Sequence, residues 1–255
     1  MTEQVLIERD GPIVTVTLNR ADKKNALTAG MYSSIADLLE EAEKDLSIRA
    51  VIFTGSGDAF TAGNDISDFL NNPPNGTDSP VFRVLFGLAK ATVPTIAAVN
   101  GMAVGIGTTM LMHCDFAYAA EDAVFHMPFI NLAVVPEAAS SLLLPSQVGY
   151  RKAAELLMLG RPVKAKEAVD IGLINSIVPA DDLLKTARAT AEQLAAKPPK
   201  ALRQTKALLR RRAEGLDERT AVEAKAFGER LASAEAKEAF SAFLEKRAPD
   251  FSKLG

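Results

Sequence analysis

A recurring order of elements constrains this chain most. Val5 and Ile7, then Ile13, Val14, Val16 and Leu18, form two alternating apolar runs joined at Asp10-Gly11, which predicts a hairpin. A polar loop over Asn19–Asn25 follows, and Thr28 caps a helix to about Lys44, with Met31, Ile35, Leu38 and Leu39 on one face. Ala50–Thr54 is a buried strand. The order then recurs: a strand over Val93–Val99, a glycine-rich turn, a helix through Met110–His113, and strands at Asp115–Ala119 and around Val124 and Phe125. A helix is expected after Pro136 and a late strand at Ile174–Val178. Strands and helices in alternation predict an α/β fold. Only the order of elements repeats, since no sequence repeat of fixed period accompanies it.

After Pro179 the character changes. The chain becomes almost wholly helical and rich in Ala, Lys, Arg, Glu and Leu, punctuated by Pro198-Pro199 and Gly215. A boundary near residue 195 separates a core, 1–195, from a helical region, 196–255. The tail helices carry Val222, Ala226, Phe227 and Leu231, then Phe240, Phe243 and Leu244, which must pack on the core or on a neighbouring subunit. The stretch NNPPNGTDSP, Asn71 to Pro80, is the most loop-like and lies between apolar helices at Ile66–Leu70 and Val81–Ala89. Such loops often border ligand sites.

Bulk properties exclude several classes. The 255 residues carry a formal net charge of -3, without the basic face that nucleic acid requires. No run approaches about 18 consecutive apolar residues, so no membrane span is expected. The start, MTEQVLIERDG, has neither the basic nor the apolar region of a signal peptide. One cysteine, Cys114 in LMHCDFAY, excludes an intramolecular disulfide; it reads as a small buried residue and fits a reducing, cytoplasmic compartment. Ser252-Lys253-Leu254 is followed by Gly255, so it is not read as a carboxyl-terminal peroxisomal address.

Two turns carry the chemistry: AFTAGNDI, Ala59 to Ile66, and NGMAVGIGTTM, Asn100 to Met110. Each follows an apolar strand and leads into a helix, where free backbone N–H groups suit a developing negative charge. Gly63, Gly105 and Gly107 permit close backbone approach. Neither turn ends in the Lys-Ser/Thr of a phosphate-binding loop. His113 and His126 stand too far apart for a local ligand pair, and no Cys, His or carboxylate cluster has metal-binding spacing. Asp115 reads as tying a loop, and Ser140-Ser141 as helix rather than a nucleophile elbow.

Together, and in this order, these turns resemble those of the crotonase (enoyl-CoA hydratase/isomerase) superfamily. The resemblance covers nearly the whole chain: Leu18-Asn19-Arg20 with Asn25-Ala26-Leu27, both turns, Cys114-Asp115, Gly160-Arg161 with Ala165–Gly172 and Leu173, and the tail EAFSAFLEKRAPDF. It implies a spiral of ββα units with a C-terminal helical region, assembled as a homotrimer or a dimer of trimers. It implies an acyl-CoA thioester substrate, no separate cofactor, and an oxyanion hole made by the backbone amides of Asn64 and Ile106. The family's hydratases use two glutamates, and those positions map here to Thr109 and Phe129. Neither residue serves as a general base at neutral pH.

One carboxylate remains nearby, Glu137 in VVPEAASS, read as lying near the start of an apolar helix. The strings FHMPF and VPEAASSLLLP, with the turns GNDI and AVGIGTT, look like the peroxisomal-type Δ3,Δ2-enoyl-CoA isomerases, where a glutamate at this position is the acid/base. Apolar neighbours predict a raised Glu137 pKa. The resemblance also suggests CoA contacts from Lys23, Lys24 and Ala26, from the backbone of Ala62, Asp65 and Ile66, and more weakly from Lys206, Lys246 or Arg247. An apolar pocket for the acyl chain is expected from Phe69, Leu70, Leu85 and Phe86, with Val81 beside them. A hydratase or other crotonase-type activity through Glu137, or a non-catalytic acyl-CoA-binding scaffold, stays open.

Overall fold

A computed structural model describes residues 3–74, 76–210 and 216–250. Gly215 and Ser252–Gly255, named above, lie outside the described residues.

The hairpin forms as the alternation predicts. β1 (Val5–Asp10) pairs antiparallel with β2 (Ile13–Leu18), and Gly11 turns the chain at φ +57. Thr28 caps α1 (Ala29–Lys44), its hydroxyl accepting from the Met31 amide at 3.4 Å. The chain then builds two sheets at once. β3 (Ala50–Gly55) joins β2 in the first sheet, and β4 (Ala59–Thr61) starts the second. After α2 (Ile66–Asn71) and α3 (Pro80–Lys90), β5 (Thr95–Val99) returns to the first sheet and β6 (Met102–Val104) to the second. α4 (Ile106–Thr109) and a 3-10 turn follow. β7 (Phe116–Ala119) and β8 (Val124–His126) then repeat the step. β3, β5 and β7 are thus each followed by a short strand in the other sheet and then by helix, a spiral of ββα turns.

The remaining core elements are α5 (Ser140–Val148), α6 (Tyr150–Met158), β9 (Val163–Lys164), α7 (Ala165–Asp170) and β10 (Ser176–Ile177). The sheet orders are β1-β2-β3-β5-β7-β10 and β4-β6-β8-β9. Apart from β1 against β2 and β8 against β9, all pairs are parallel.

The central strands are buried on both faces, and their side chains divide with a period of two. Val51, Phe53, Ala97 and Val99 join the large core under α1 and α3. Ala50, Ile52, Ile96 and Ala98 face α8 (Ala180–Ala195), which seals the other side with Leu183, Ala187 and Ala191 at helical spacing.

Three helices follow: α9 (Pro199–Leu209), α10 (Leu216–Leu231) and α11 (Ala234–Leu244). α9 is pinned by Lys206, whose buried ammonium donates to the Val93 carbonyl at 2.6 Å and pairs with Asp115 at 2.6 Å. Burial lowers its pKa to about 8 despite that partner. Lys206 is therefore structural, and its expected CoA contact is corrected: the ammonium already spends its donors inside the protein. α10 packs on α3, and α11 lies near the 3-10 turn at Ile130–Leu132. Among the described residues no helix is long and apolar enough to cross a membrane.

Two local readings change. Ala59–Thr61 and Met102–Val104 are strands rather than parts of turns, because the second sheet pairs them in parallel. The helix after Pro136 begins only at Ser140, since Ala138 and Ala139 take left-handed backbone angles, φ +55 and +54.

Candidate active site

Parallel pairing of β4 with β6 sets the turns that follow them side by side. A side chain at either glycine would break this approach: a Cβ on Gly63 would meet the Val104 carbonyl at 2.9 Å, and one on Gly107 the Thr61 methyl at 2.6 Å. Gly63 also sits at φ +87 and Gly105 at φ +55, which L side chains rarely adopt.

The Arg20–Leu27 loop braces the first turn. Asn25, fully buried, donates to the Ala59 carbonyl at 2.7 Å and the Ser56 carbonyl at 2.9 Å, while its oxygen accepts the Arg20 amide at 2.8 Å. Leu27 donates to the Gly63 carbonyl at 2.8 Å and accepts the Asp65 amide at 2.9 Å. This isolated bridge runs through the residues either side of Asn64 and leaves the Asn64 amide unused. Ile106 is the first residue of α4, whose amide has no partner within the helix. Neither amide has a hydrogen-bond partner among the described residues.

Both residues border a pocket lined by Gly63, Asn64, Ile106, Phe129, Val134 and Glu137 among others. A second, narrower cavity shares Asn64, Phe69, Glu137 and Phe227 with the first and extends to Tyr32, Pro74, Val81, Phe82, Leu85 and Thr220. Glu137 is the one carboxylic acid lining either cavity among the described residues. It is 9% exposed, and Thr109 Oγ1 donates to its Oε1. Burial pushes its pKa up to about 8; the Thr109 bond opposes this, and the charge of Glu223 adds to it. Tyr32 donates to Asn64 Oδ1 at 2.5 Å. Burial, then the charge of Glu137, holds the phenol well above its usual range, so it remains a neutral donor.

Glu137, expected near the start of the helix after Pro136, stands just outside it, two residues ahead of the Ala139 cap position. A buried carboxyl, two unspent amides and an adjoining apolar hollow are the parts needed to draw a proton from carbon beside a carbonyl.

Known proteins with related sequences and folds give the chain a family. Residues 8–253 match the family model described as enoyl-CoA hydratase/isomerase. The chain belongs to the enoyl-CoA hydratase/isomerase family. It is similar to a probable enoyl-CoA hydratase of Mycobacterium tuberculosis, 38% identical over 98% of each chain. Human enoyl-CoA delta isomerase 2 is 36% identical over 82% of this chain and 55% of the relative. The crystal structure of an enoyl-CoA hydratase/isomerase from Pseudoalteromonas atlantica superposes with a TM-score of 0.92 at 41% identity, covering 98% of this chain and 100% of that one. The fold is accordingly the crotonase fold.

Within this family member the expected acyl-side residues divide. Phe69, Leu85 and Val81 line the second cavity. Leu70 and Phe86 do not: Leu70 is 40% exposed, and Phe86 packs its ring 5.7 Å from the Lys90 ammonium. One turn of α3 nearer its start, Phe82 takes the wall instead.

On the expected CoA side, Lys23 and Lys24 are exposed, and Lys24 pairs with Asp58 at 2.6 Å. The Ala62 amide donates to the Lys24 carbonyl and the Asp65 amide to that of Leu27, so neither amide is available to a ligand. The Ala26 carbonyl accepts from Arg20 at 2.6 Å. The Asp65 carboxylate caps α2 and pairs with Arg20 at 3.0 Å. Ala62 and Ile66 line the first cavity. Arg247 near the end of the described chain is paired with Glu238 at 2.5 Å.

Cys114 is half-buried, and its surroundings push the thiol up to about 12, which removes it as a nucleophile. His126 bonds the Gly160 carbonyl at 2.7 Å and His113 the Ala138 carbonyl at 2.7 Å, both structural contacts. Sequence reasoning missed Tyr32, Phe82, Thr220 and Glu223. It also missed Thr109 as a donor, having weighed that position only as a missing carboxylate. Phe227 and Phe240 were visible as apolar tail residues in need of a partner; both line the first cavity, and Phe227 meets Phe69 edge-on at 6.0 Å.

Proposed function

We propose that this protein is an isomerase that moves the double bond of a 3-enoyl-CoA to give the 2-trans-enoyl-CoA. The observation that carries the reading is the single buried carboxyl, Glu137, in a cavity bordered by the Asn64 and Ile106 amides. The thioester oxygen sits between the two amides. Glu137, ionised, takes a proton from C2. The C2–H electron pair conjugates with the 3,4 double bond and the carbonyl, forming a dienolate whose oxyanion the amides stabilise. Glu137 then delivers the same proton to C4, which leaves the double bond between C2 and C3. Water is neither consumed nor released. The raised pKa supports this role, because a base near the working pH exchanges protons in both directions. Ketosteroid isomerase joins a carboxyl base to an oxyanion hole for the same kind of proton shuttle.

Coenzyme A enters as part of the substrate, with its thioester in the first cavity and its acyl chain in the second. Lys23 and Lys24 stand on the exposed rim of the Ala62 turn, where phosphates would meet positive charge. Assembly as a homotrimer or dimer of trimers belongs to the same reading, and it would cover exposed apolar side chains such as Tyr150, Met158 and Leu159.

The test is incubation with 3-hexenoyl-CoA, with Glu137→Ala as control. Appearance of the conjugated 2-enoyl thioester, lost in the variant, is expected. A second reading, hydration, is favoured by the hydratase relative at 38% identity. Water addition to crotonyl-CoA that outpaces isomerisation would establish it instead. Tight acyl-CoA binding with no proton exchange at C2 would point to a scaffold.

A further inference from the structure

The segment bearing Glu137 does not hold itself in place. Ala138 and Ala139 are consecutive residues in the left-handed region, a conformation that costs an L residue about 1 kcal/mol or more each. Such backbone persists only where its surroundings over-determine it. Helix α5 starts directly behind, and its cap position is Ala139, whose methyl cannot accept a first-turn amide.

The missing acceptor comes from the tail. Glu223 on α10 is 6% exposed; its Oε1 accepts the Ser141 amide at 2.9 Å and also the Ser141 hydroxyl. The Ala139 amide adds to the field favouring its charged form. Its Oε2 is buried with no hydrogen-bond partner among the described residues, which is costly for a carboxyl and raises its pKa. Thr220 and Phe227, one helical turn to either side, and the adjacent Ala224 line the cavity that Glu137 borders. One face of α10 is therefore both a cavity wall and a clamp.

We propose that Glu223 is a positioning residue for Glu137: it caps α5 from outside and holds the Pro136–Ser141 turn in the conformation that places the Glu137 carboxyl against Thr109 in the cavity. The inference rests on the reading of Glu137 as the acid/base, and it makes docking of α10 a condition for turnover. The charged or titratable groups facing Glu137 are Tyr32 from α1, His113 from the turn after α4, and Glu223 with Arg219 beside it on α10. Of the causes that act on Glu137, Glu223 is the neighbouring charge that disfavours ionisation.

The test compares Glu223→Ala and Glu223→Gln in the full chain, with kcat and KM on 3-hexenoyl-CoA and the pH profile of kcat/KM. Glu223→Ala is expected to lower kcat roughly tenfold to hundredfold, the cost of a small misplacement of a reacting group, with KM nearly unchanged. Glu223→Gln keeps an acceptor for Ser141, so it should recover most of kcat while moving the acid limb to lower pH. Unchanged kcat and pH profile in both variants would overturn the proposal. So would a parallel loss of kcat and KM that glutamine does not rescue, since that marks general packing.

Should Glu223→Ala fail to fold, Glu223→Asp, which keeps the charge but draws the acceptor back from Ser141, decides: a lowered kcat at nearly unchanged KM supports the clamp, and the parent kcat overturns it. Should the protein neither isomerise nor exchange C2 protons, the proposed function fails separately. NMR titration of carboxyl-labelled glutamates, with Glu137 assigned through Glu137→Gln, then reads the placement of Glu137 directly; a Glu137 midpoint unmoved by Glu223→Asp overturns the proposal, and one lowered toward the ordinary carboxylate value, as the carboxyl leaves its buried place, supports it.

Discussion

The two walls of the cavity are built by different means. On the amide wall, Asn64 and Ile106 follow neighbouring parallel strands, and contacts close in sequence or in register hold them: β4 beside β6, the Leu27 bridge, and Asn25 welded to Ala59. On the acid wall, Glu137 stands in a turn with two left-handed alanines; Thr109 bonds its carboxyl, His113 the Ala138 carbonyl, and Glu223, 82 residues further along the chain, bonds Ser141. The first wall is made of main chain, whose position depends little on side-chain identity. The second is a side chain whose position and basicity depend on distant neighbours. Oxyanion donors need rigidity above all. An acid/base needs a tuned pKa, which only a three-dimensional environment supplies.

This contrast can be broken from either side. The largest effect is expected from Glu137→Gln: an isosteric loss of the base should cut isomerisation and C2 proton exchange roughly 1,000-fold, within the range for a positioned acid/base, with acyl-CoA binding retained. Full activity in that variant would remove Glu137 from the mechanism. On the amide wall, Gly63→Ala places a methyl against the Val104 carbonyl at φ +87 and should cost on the order of 100-fold in kcat, comparable to losing one oxyanion donor. A kcat within about threefold of the parent would show that the wall is less rigid than the contacts imply.

The pH dependence sharpens the difference further. kcat/KM should rise about tenfold per pH unit below a midpoint near 8, where Glu137 ionises in the free enzyme. A midpoint near the ordinary carboxylate value would mean that the acid is solvated. The same shift has a stability consequence. A carboxyl whose folded pKa lies above its unfolded value of 4.5 favours the fold below that pH and loses the contribution as pH rises through about 8. Glu137→Gln should therefore gain stability over the parent in that window, by up to a few kcal/mol at its alkaline end, read by denaturant unfolding at about pH 5 and about pH 9. The smallest effect is expected from Thr28→Ala, which removes the α1 cap, costs about 1 kcal/mol of stability and leaves kcat unchanged.

Much of the fold was legible because its signals are local. The hairpin at Gly11, the cap at Thr28, the buried strand Ala50–Gly55 and the helices flanking the Asn71–Pro80 loop all follow from alternation, caps and turn residues. The three-residue strands β4 and β6 were hidden, because pairing across the second sheet, not propensity, makes them strands. Glycine marked the amide wall by its steric freedom. Glu137 drew notice as the carboxylate that remained where others were missing. Nothing local showed that Ala138 and Ala139 delay the helix, that Phe82 replaces Phe86, or that Lys206 is buried.

By itself, then, the order of residues determined the α/β alternation, the two glycine turns and the presence of a lone acid between apolar neighbours, since each depends on backbone sterics and periodicity within a few residues. Tertiary structure alone decided that the two turns lie side by side, that Glu137 stands at the junction of two cavities with a pKa of about 8, and that the tail helices close those cavities. Those outcomes depend on desolvation and on contacts between residues far apart in the chain, which no short window of sequence contains.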